Sequence, residues 1–442
     1  MSLSSDRSTS PAASEAKFDR QLSAIWQTFV RSSLGTGLAV VARAVGSLLL
    51  SKLLAMYGGA GSLTLFAQFQ SLMSLFGSLP SDGVQVGATT RLAPLSPGTP
   101  RYAAWLGAAG VITMGLVIVS GGLLWLLERG DWKPSSALLF TLGMAAVTAQ
   151  ALLSTALLAA GRQRAYVVQV IVLSVLGTVA AGAALLLGRP LPQVVGCYLA
   201  GQSLAVVPTL VQAHRVGLLR GLRAWPVSLV AVRGLLSFVL MASGGLIFGR
   251  IIDYEVRAYL IEHFVPARTD LWQAVDRLSG NYTLVVATVL STVFYPRLAA
   301  LAVNPAQARR YLFAVLGLMG VGLAIGLGLI FAMRDLLLPL LFAPRLVAAR
   351  ELLAPQLLGD WAKFLVWVFL YQVLARARPL PYLAVQAASA VLYATMLVVL
   401  LPRLGLSGVV WAHAIRYAVL LVACGLHFGL ARNNKVLVTS SN

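Results

Sequence analysis

A chain of 442 residues that is 59% hydrophobic and 11% charged, with a mean hydropathy of +0.83, excludes a water-soluble globule of that size. Its net charge of +20 falls in short segments between apolar runs, as in cytoplasmic loops under the positive-inside rule, and not in one face or tail that would suit nucleic acid. Cys197 and Cys424 lie in separate apolar runs, which provides neither a disulfide framework nor a metal spacing, and no cofactor is implied.

Residues 1–32 begin polar and Ser-rich, lack a signal-peptide core, and are expected to form a cytoplasmic extension. Phe18–Val30 reads as a short amphipathic lead-in to the first span. Twelve spans follow, at 33–57, 62–90, 102–127, 135–160, 165–188, 191–213, 230–255, 270–298, 309–333, 350–375, 380–401 and 405–430. Such runs cross ~30 Å of hydrocarbon as helices, and they lack the alternation of barrel strands. Arg31, Arg91 and Arg101, Arg162 and Arg164, Arg215, Arg220 and Arg223, Arg297, Arg309 and Arg310, Arg376 and Arg378, and Arg432 mark alternate connections. Glu128–Asp131 mixes its charges on the other side. Both termini are therefore expected in the cytoplasm.

The halves echo each other. Arg43 and Arg250 are 207 residues apart, Arg91 and Arg297 are 206 apart, and the basic turns at Arg162 and Arg376 are 214 apart. Coincidence is the alternative to two parallel six-helix repeats related by an axis along the membrane normal. The expected fold is an all-α membrane protein of about twelve transmembrane helices, in two pseudo-symmetric six-helix lobes around a central cavity. The lobes would span 33–213 and 230–431, joined by a linker at 214–229 and followed by a tail at 432–442.

The second span contains Gly77, Pro80, Ser81, Asp82 and Gly83, which predict a kink or an unwound stretch beside a cavity, or a plain proline kink. Walker A, HExxH and GxSxG motifs are absent, and His214, His263, His413 and His427 are scattered. Asp253-Tyr254-Glu255 resembles an acidic metal–nucleotide pair, but Asp253 lies three residues after Arg250 and four before Arg257, so ion pairing within the helix is the favoured reading. Asn281-Tyr282-Thr283 is a sequon inside an apolar helix and is discounted.

What remains is charge at depth. Arg43 lies about 12 residues past Arg31, roughly 18 Å into the bilayer at ~1.5 Å per residue. A charge there costs a few kcal/mol or more, so it faces a cavity or a partner. Lys52 sits nearer the outer face, where snorkelling is the alternative. Asp276 and Arg277 lie in the eighth span, and Asp360 and Lys363 share one face of the tenth. The surplus of cations suits a diphosphate, which arginine binds bidentately. Trp272, Tyr282, Trp361 and Trp367 offer stacking surfaces for sugar, or an interfacial belt.

Several segments carry a family resemblance: Arg43 with Ser51-Lys52-Leu53-Leu54-Ala55, Tyr57-Gly58-Gly59-Ala60-Gly61, Phe69-Gln70-Ser71-Leu72, Leu271-Trp272-Gln273, Tyr295-Pro296-Arg297-Leu298 and Gln356-Leu357-Leu358-Gly359-Asp360-Trp361-Ala362-Lys363. Together they resemble the O-antigen and enterobacterial-common-antigen translocases of the multidrug/oligosaccharidyl-lipid/polysaccharide exporter superfamily, over nearly all of the chain after residue 30. The resemblance implies a multi-pass protein of the bacterial inner membrane. It implies translocation of an undecaprenyl-diphosphate-linked oligosaccharide between leaflets by alternating access, with a glycan polymerase and a chain-length regulator as companions. Coupling to membrane potential or to H+ or Na+ is open.

Arg43, Lys52, Arg250, Arg257, Trp272, Gln273, Asp360 and Lys363 are the expected substrate-binding residues. Gln70, Asp82, Arg91 and Arg297 are expected at gates or the cytoplasmic mouth. Gln70 stands where relatives can carry a basic residue, and Arg250 where they need none. The rivals are a lipid II flippase, a cation-coupled drug exporter of the same fold, and a membrane glycan polymerase or ligase. The exporter favours acidic chambers, and the polymerase needs a larger outer loop than 256–269 or 334–349 offers.

Overall fold

The computed structural model describes residues 37, 41–127, 134–220, 228–301, 305–375 and 379–430, and all of their regular structure is helical. The expected extension at 1–32 with Phe18–Val30, the Glu128–Asp131 loop, Arg223, Arg376, Arg378 and the tail at 432–442 lie outside the described residues.

In the first half, α1 (41–57) is followed by α2 (Ser62–Ser78), a π-helical segment (Leu79–Gln85) and α3 (Val86–Leu92). Then come α4 (Pro100–Leu127), α5 (Pro134–Ala159), α6 (Gln163–Leu186), α7 (Leu191–Leu204) and α8 (Val206–Arg215). The second half begins with α9 (Leu229–Gly245), a π-helical segment (Leu246–Arg250) and α10 (Ile251–His263). α11 (Pro266–Val289), a third π-helical segment (Leu290–Phe294) and α12 (Tyr295–Ala300) form the next span. α13 (Pro305–Ala332), the short α14 (Arg334–Leu341), a 3-10 turn (Pro344–Ala349), α15 (Arg350–Ala375), α16 (Pro379–Leu404) and α17 (Ser407–Leu430) complete the chain.

Nine helical spans among the described residues are long and apolar enough to cross a membrane. Of the other expected spans, α1 is described only from residue 41, α2 and α3 are separated by a polar π segment, and α11 carries Arg268, Asp270, Asp276 and Arg277, whose charge lowers its apolarity. Two expectations about boundaries change. The span expected at 191–213 is two helices meeting at Ala205, and the one expected at 230–255 continues to His263.

Pro80 neither breaks nor unwinds its span. Proline removes one N–H from the i→i−4 ladder, and the chain accommodates it through wider π turns before resuming as α3. Pro296, two residues past the third π segment, has the same effect on the α11–α12 span. The segment at Leu246–Arg250 has no proline; Gly244, Gly245 and Gly249 flank or occupy it and weaken α-helical order there.

Both halves share an order of elements: a span interrupted by a π-helical segment precedes α4 in the first half and α13 in the second. The second half adds the α14 and 3-10 excursion between α13 and α15.

One helix of the second half packs on the first. A Cβ on Gly83 would lie 2.8 Å from Val239 Cα, and one on Gly87 would lie 2.9 Å from the Leu235 and Phe238 side chains. Leu235 and Ala231 of α9 thus join Val84, Ala88, Leu92, Tyr102 and Leu106 in one apolar cluster. A larger cluster, including Leu54, Leu63, Phe66, Leu260, Val275, Phe342 and Leu353, joins the halves at the opposite end, beside the α1–α2 turn.

Candidate functional site

The π segments at Leu79–Gln85 and Leu246–Arg250, with several polar helix faces, border a chamber of about 1120 Å³ between the halves. Its charged lining comprises Arg43, Arg250, Arg257, Arg277, Lys363 and Arg416 against Asp82, Asp253 and Asp276. At ~1.5 Å per residue, Arg43, Arg250, Arg277, Lys363 and Arg416 all lie roughly 14–21 Å from the helix ends beside the α1–α2 turn, so they form a belt near mid-membrane depth.

These cations are held in different ways. Arg257 is buried on α10. Its Nε donates to Gln273 Oε1 at 2.8 Å, its Nη2 reaches Asp276 Oδ2 at 3.2 Å, and its Nη1 donates to Ser71 Oγ. The guanidinium also lies 5.4 Å from the Trp272 ring centroid. Asp276 therefore takes the pairing role expected of Asp253, whose contribution to Arg257 is only a backbone carbonyl at 3.4 Å. The reason is that Asp276 and Gln273 present an adjacent acceptor pair across the α10–α11 contact.

Arg277 donates to Gln70 Oε1 and, at 3.4 Å, to Ser47 Oγ, while its buried Nε has no partner. Arg416 donates to Ser389 Oγ at 2.7 Å and to Tyr417 OH at 3.2 Å. Its guanidinium lies over both Tyr393 and Tyr417, at 4.9 and 4.6 Å. Among the described residues, no carboxylate comes within ion-pair distance of Arg43, Arg250, Arg277 or Arg416.

Behind the chamber wall lies a hub on Asp360, which is fully buried. Its carboxylate accepts from Ser279 Oγ at 2.6 Å, Gln356 Nε2 at 3.2 Å, the Tyr282 hydroxyl and the Lys363 ammonium, and contacts His413 Nε2 at 3.1 Å. Lys363 also donates to Thr283 Oγ1 at 3.1 Å and sits over the Phe364 ring. The preceding residue must be small: a Cβ on Gly359 would meet His413 at 2.4 Å and the Ala414 backbone at 2.9 Å.

The chamber is sealed at the end beside the α1–α2 turn. Gly59 and Gly61 adopt φ of 80° and 82°, which side chains disfavour, and this turn aims the first amides of α2 at the second half. Asp270 accepts from Gly61 N at 2.8 Å and from Thr64 N at 3.0 Å and Oγ1 at 2.9 Å. Arg345 donates to Gly59 O at 2.8 Å, and Lys52 donates to Leu340 O at 2.9 Å. Two of these contacts carry the repeat spacing: Thr64–Asp270 joins residues 206 apart and Gln70–Arg277 residues 207 apart, so α2 and α11 face each other at equivalent positions.

The structure brings Arg43, Arg250, Arg257, Trp272, Gln273 and Lys363 together on the chamber wall, with Gln70 and Asp82. It places Asp360 beneath that wall and Lys52 in the end seal. Arg91 stacks near Trp105 at 5.3 Å and Arg297 near Tyr311 at 5.4 Å, both off the wall. Arg416, Tyr393, His413 and Asp270 were missed by sequence reasoning. Arg416 carries the same signal as Arg43, a cation deep in an apolar run (VVWAHAIRYAVLL), and that signal was there to be read.

No protein-family model matches the chain. It is 25% identical over 411 residues to the lipid III flippases of Escherichia coli (strain K12) and Shigella flexneri, covering 90% of this chain and 97% of each relative. Among solved structures it resembles an inward-facing multidrug-resistance MATE transporter of the MOP superfamily, with a TM-score of 0.64 at 12% identity over 89% of this chain and 99% of that one. It also resembles a point mutant of the Vibrio cholerae MATE transporter VcmN, with a TM-score of 0.62 at 13% identity over 93% and 98%. The chain is an all-helical membrane protein with the fold of these transporters, and it is similar in sequence to lipid-linked-substrate flippases.

Proposed function

We propose that this protein is a flippase that moves an undecaprenyl-diphosphate-linked oligosaccharide, of the O-antigen or a related surface-glycan type, across the bacterial inner membrane. The observation that carries the reading is the chamber's charge: six cations face three carboxylates, and four of the cations have no ion-pair partner among the described residues. A cationic drug would meet repulsion there, whereas a diphosphate gains charge-assisted bonds from several guanidinium groups. The relatives named as lipid III flippases fit a lipid-linked cargo.

On this reading both termini are cytoplasmic, and the sealed end faces the periplasm. The headgroup enters the chamber from the cytoplasmic side while the polyprenyl chain stays in lipid. Arg43, Arg250, Arg277 and Arg416 hold the diphosphate, and lobe rocking breaks the Asp270 seal. The substrate shifts the equilibrium only by its differential affinity for the two states. Moving its negative charge outward is favoured by an inside-negative potential, by ~2.3 kcal/mol per charge per 100 mV.

The test is reconstitution into liposomes with a polyprenyl-diphosphate oligosaccharide, followed by a glycosidase added outside. The protein is expected to raise the cleaved share from half towards completion, and Arg43→Ala with Arg250→Ala is expected to abolish the rise. A cleaved share that stays at half with the intact protein overturns the assignment.

A further inference from the structure

The two halves of the chain furnish chemically different walls to the same chamber, and this inference rests on the flippase reading. We propose that the second-half wall, together with Arg43, grips the diphosphate and that the rest of the first-half wall reads an uncharged, hydroxyl-rich glycan.

The charge is one-sided. Arg250, Arg257, Arg277, Lys363 and Arg416 all belong to the second half, together with Asp253 and Asp276. From the first half only Arg43 and Asp82 are charged, and α5, α6 and α7 contribute no charged lining residue. Those three helices present amides and hydroxyls instead, among them Thr148, Gln150, Ser154, Tyr166, Ser174 and Gln202.

Their hydrogen bonds leave complementary valences. The Tyr198 hydroxyl accepts from Gln70 Nε2 at 3.1 Å and from Gln202 Nε2 at 2.9 Å. That leaves Gln202 Oε1 as an acceptor and the Tyr198 proton as a donor at one point of the wall. Gln85 Oε1 accepts from Thr155 Oγ1 at 3.2 Å, which leaves its Nε2 as a donor. A sugar hydroxyl both donates and accepts, so this wall matches it in both senses. A uronate placed here would lose water without gaining a cation, which is costly. Sites built to hydrogen-bond a hydroxyl also reject analogues that lack it, so selectivity for the glycan resides on this wall. The chemistry of the second-half wall differs: arginine on aromatic platforms such as Tyr393 and Tyr417 offers charge that any diphosphate satisfies, whatever sugar follows.

The test titrates the full chain in nanodiscs with three synthetic probes: undecaprenyl diphosphate, the same lipid bearing a neutral trisaccharide, and the same lipid bearing a trisaccharide with one uronate. The neutral glycan is expected to tighten binding about tenfold over the bare lipid, and the uronate form is expected to bind no tighter than the bare lipid. Gln202→Leu combined with Gln85→Leu is expected to remove that tenfold gain while leaving bare-lipid affinity unchanged, which also reports an intact fold. Arg416→Gln is expected to weaken all three probes alike. A uronate probe that outbinds the neutral one overturns the proposal, as does a first-half variant that weakens the bare lipid as much as the glycolipid. Failure of the intact protein to bind any probe overturns the flippase reading, and the wall assignment with it.

Discussion

Asp270 and Asp360 are both buried carboxylates, 1% and 0% exposed, and both gather several donors, but they sit on opposite sides of a mechanical divide. Asp360 draws all its partners from α11, α15 and α17 within the second half, including Lys363 and His413. Asp270 reaches across to the first half, where its partners are mainly backbone amides of the α2 N-terminus and Thr64. A helix N-terminus binds a carboxylate well, yet its amides solvate readily when the contact opens, unlike a buried ammonium. One cluster is therefore suited to permanence and the other to being broken and remade.

The largest expected effect tests the permanent cluster. Asp360→Ala leaves Lys363 and His413 facing an empty acceptor site, and breaking a buried pair this way costs about 3–5 kcal/mol. The variant is expected to lose thermal stability sharply in detergent, as followed by fluorescence-detected size exclusion. A melting profile unchanged from the parent chain removes the contrast between the clusters.

The second prediction tests the breakable one. Hydrogen bonds to a charged acceptor contribute about 1.5–3 kcal/mol net, so Asp270→Ala is expected to shift the population from sealed to open by tenfold or more while melting changes little. Spin labels at Ala60 and Ala267, in a background with Cys197 and Cys424 replaced by alanine, would report this as a longer distance. Equal distances in the two proteins break the reading of Asp270 as the seal.

The smallest effect concerns Arg345. Its side chain is 40% exposed and lies 3.9 Å from Asp270, a separation and exposure at which an ion pair contributes about 0–1 kcal/mol. Arg345→Ala is expected to move the same spin-label distribution slightly, through loss of the Gly59 carbonyl bond. A shift as large as that of Asp270→Ala would mean that the arginine, not the carboxylate, holds the end closed.

How much of this was legible in sequence varied with where a helix sits. α13, with a mean hydropathy of 2.4 over its most apolar stretch, has only 6% of that stretch buried, whereas the span containing α15 has a hydropathy of 1.2 and 78% buried. In a membrane, apolarity marks the lipid-facing helix, and the central helix hides polar groups that hydropathy discounts. That is why most spans were readable, and why α11, a conspicuously polar span, gave Gln273 through motif resemblance and Trp272 also as a stacking surface. Mid-helix arginines were visible as charges in lipid, but their partners were not. Arg257 pairs across a helix contact with Asp276, and no spacing rule within α10 could choose that over Asp253. The π turn after Ser78 was readable only as disturbance near Pro80, and those after Gly245 and Val289 were not read at all, since the extra residue per turn leaves no periodic mark of its own.

The equivalence of Thr64 with Asp270, and of Gln70 with Arg277, bears on how such a chain could have arisen. Residues that face their own counterparts across a pseudo-twofold would, in a duplicated gene with identical copies, confront themselves: aspartate against aspartate, arginine against arginine. Neither like-charged couple tolerates a dry contact, so a charge can stand at either place only where the two halves differ, one carrying it and the other offering a neutral hydroxyl or amide. Asymmetry at the join is thus the condition under which two such halves can use charge there at all.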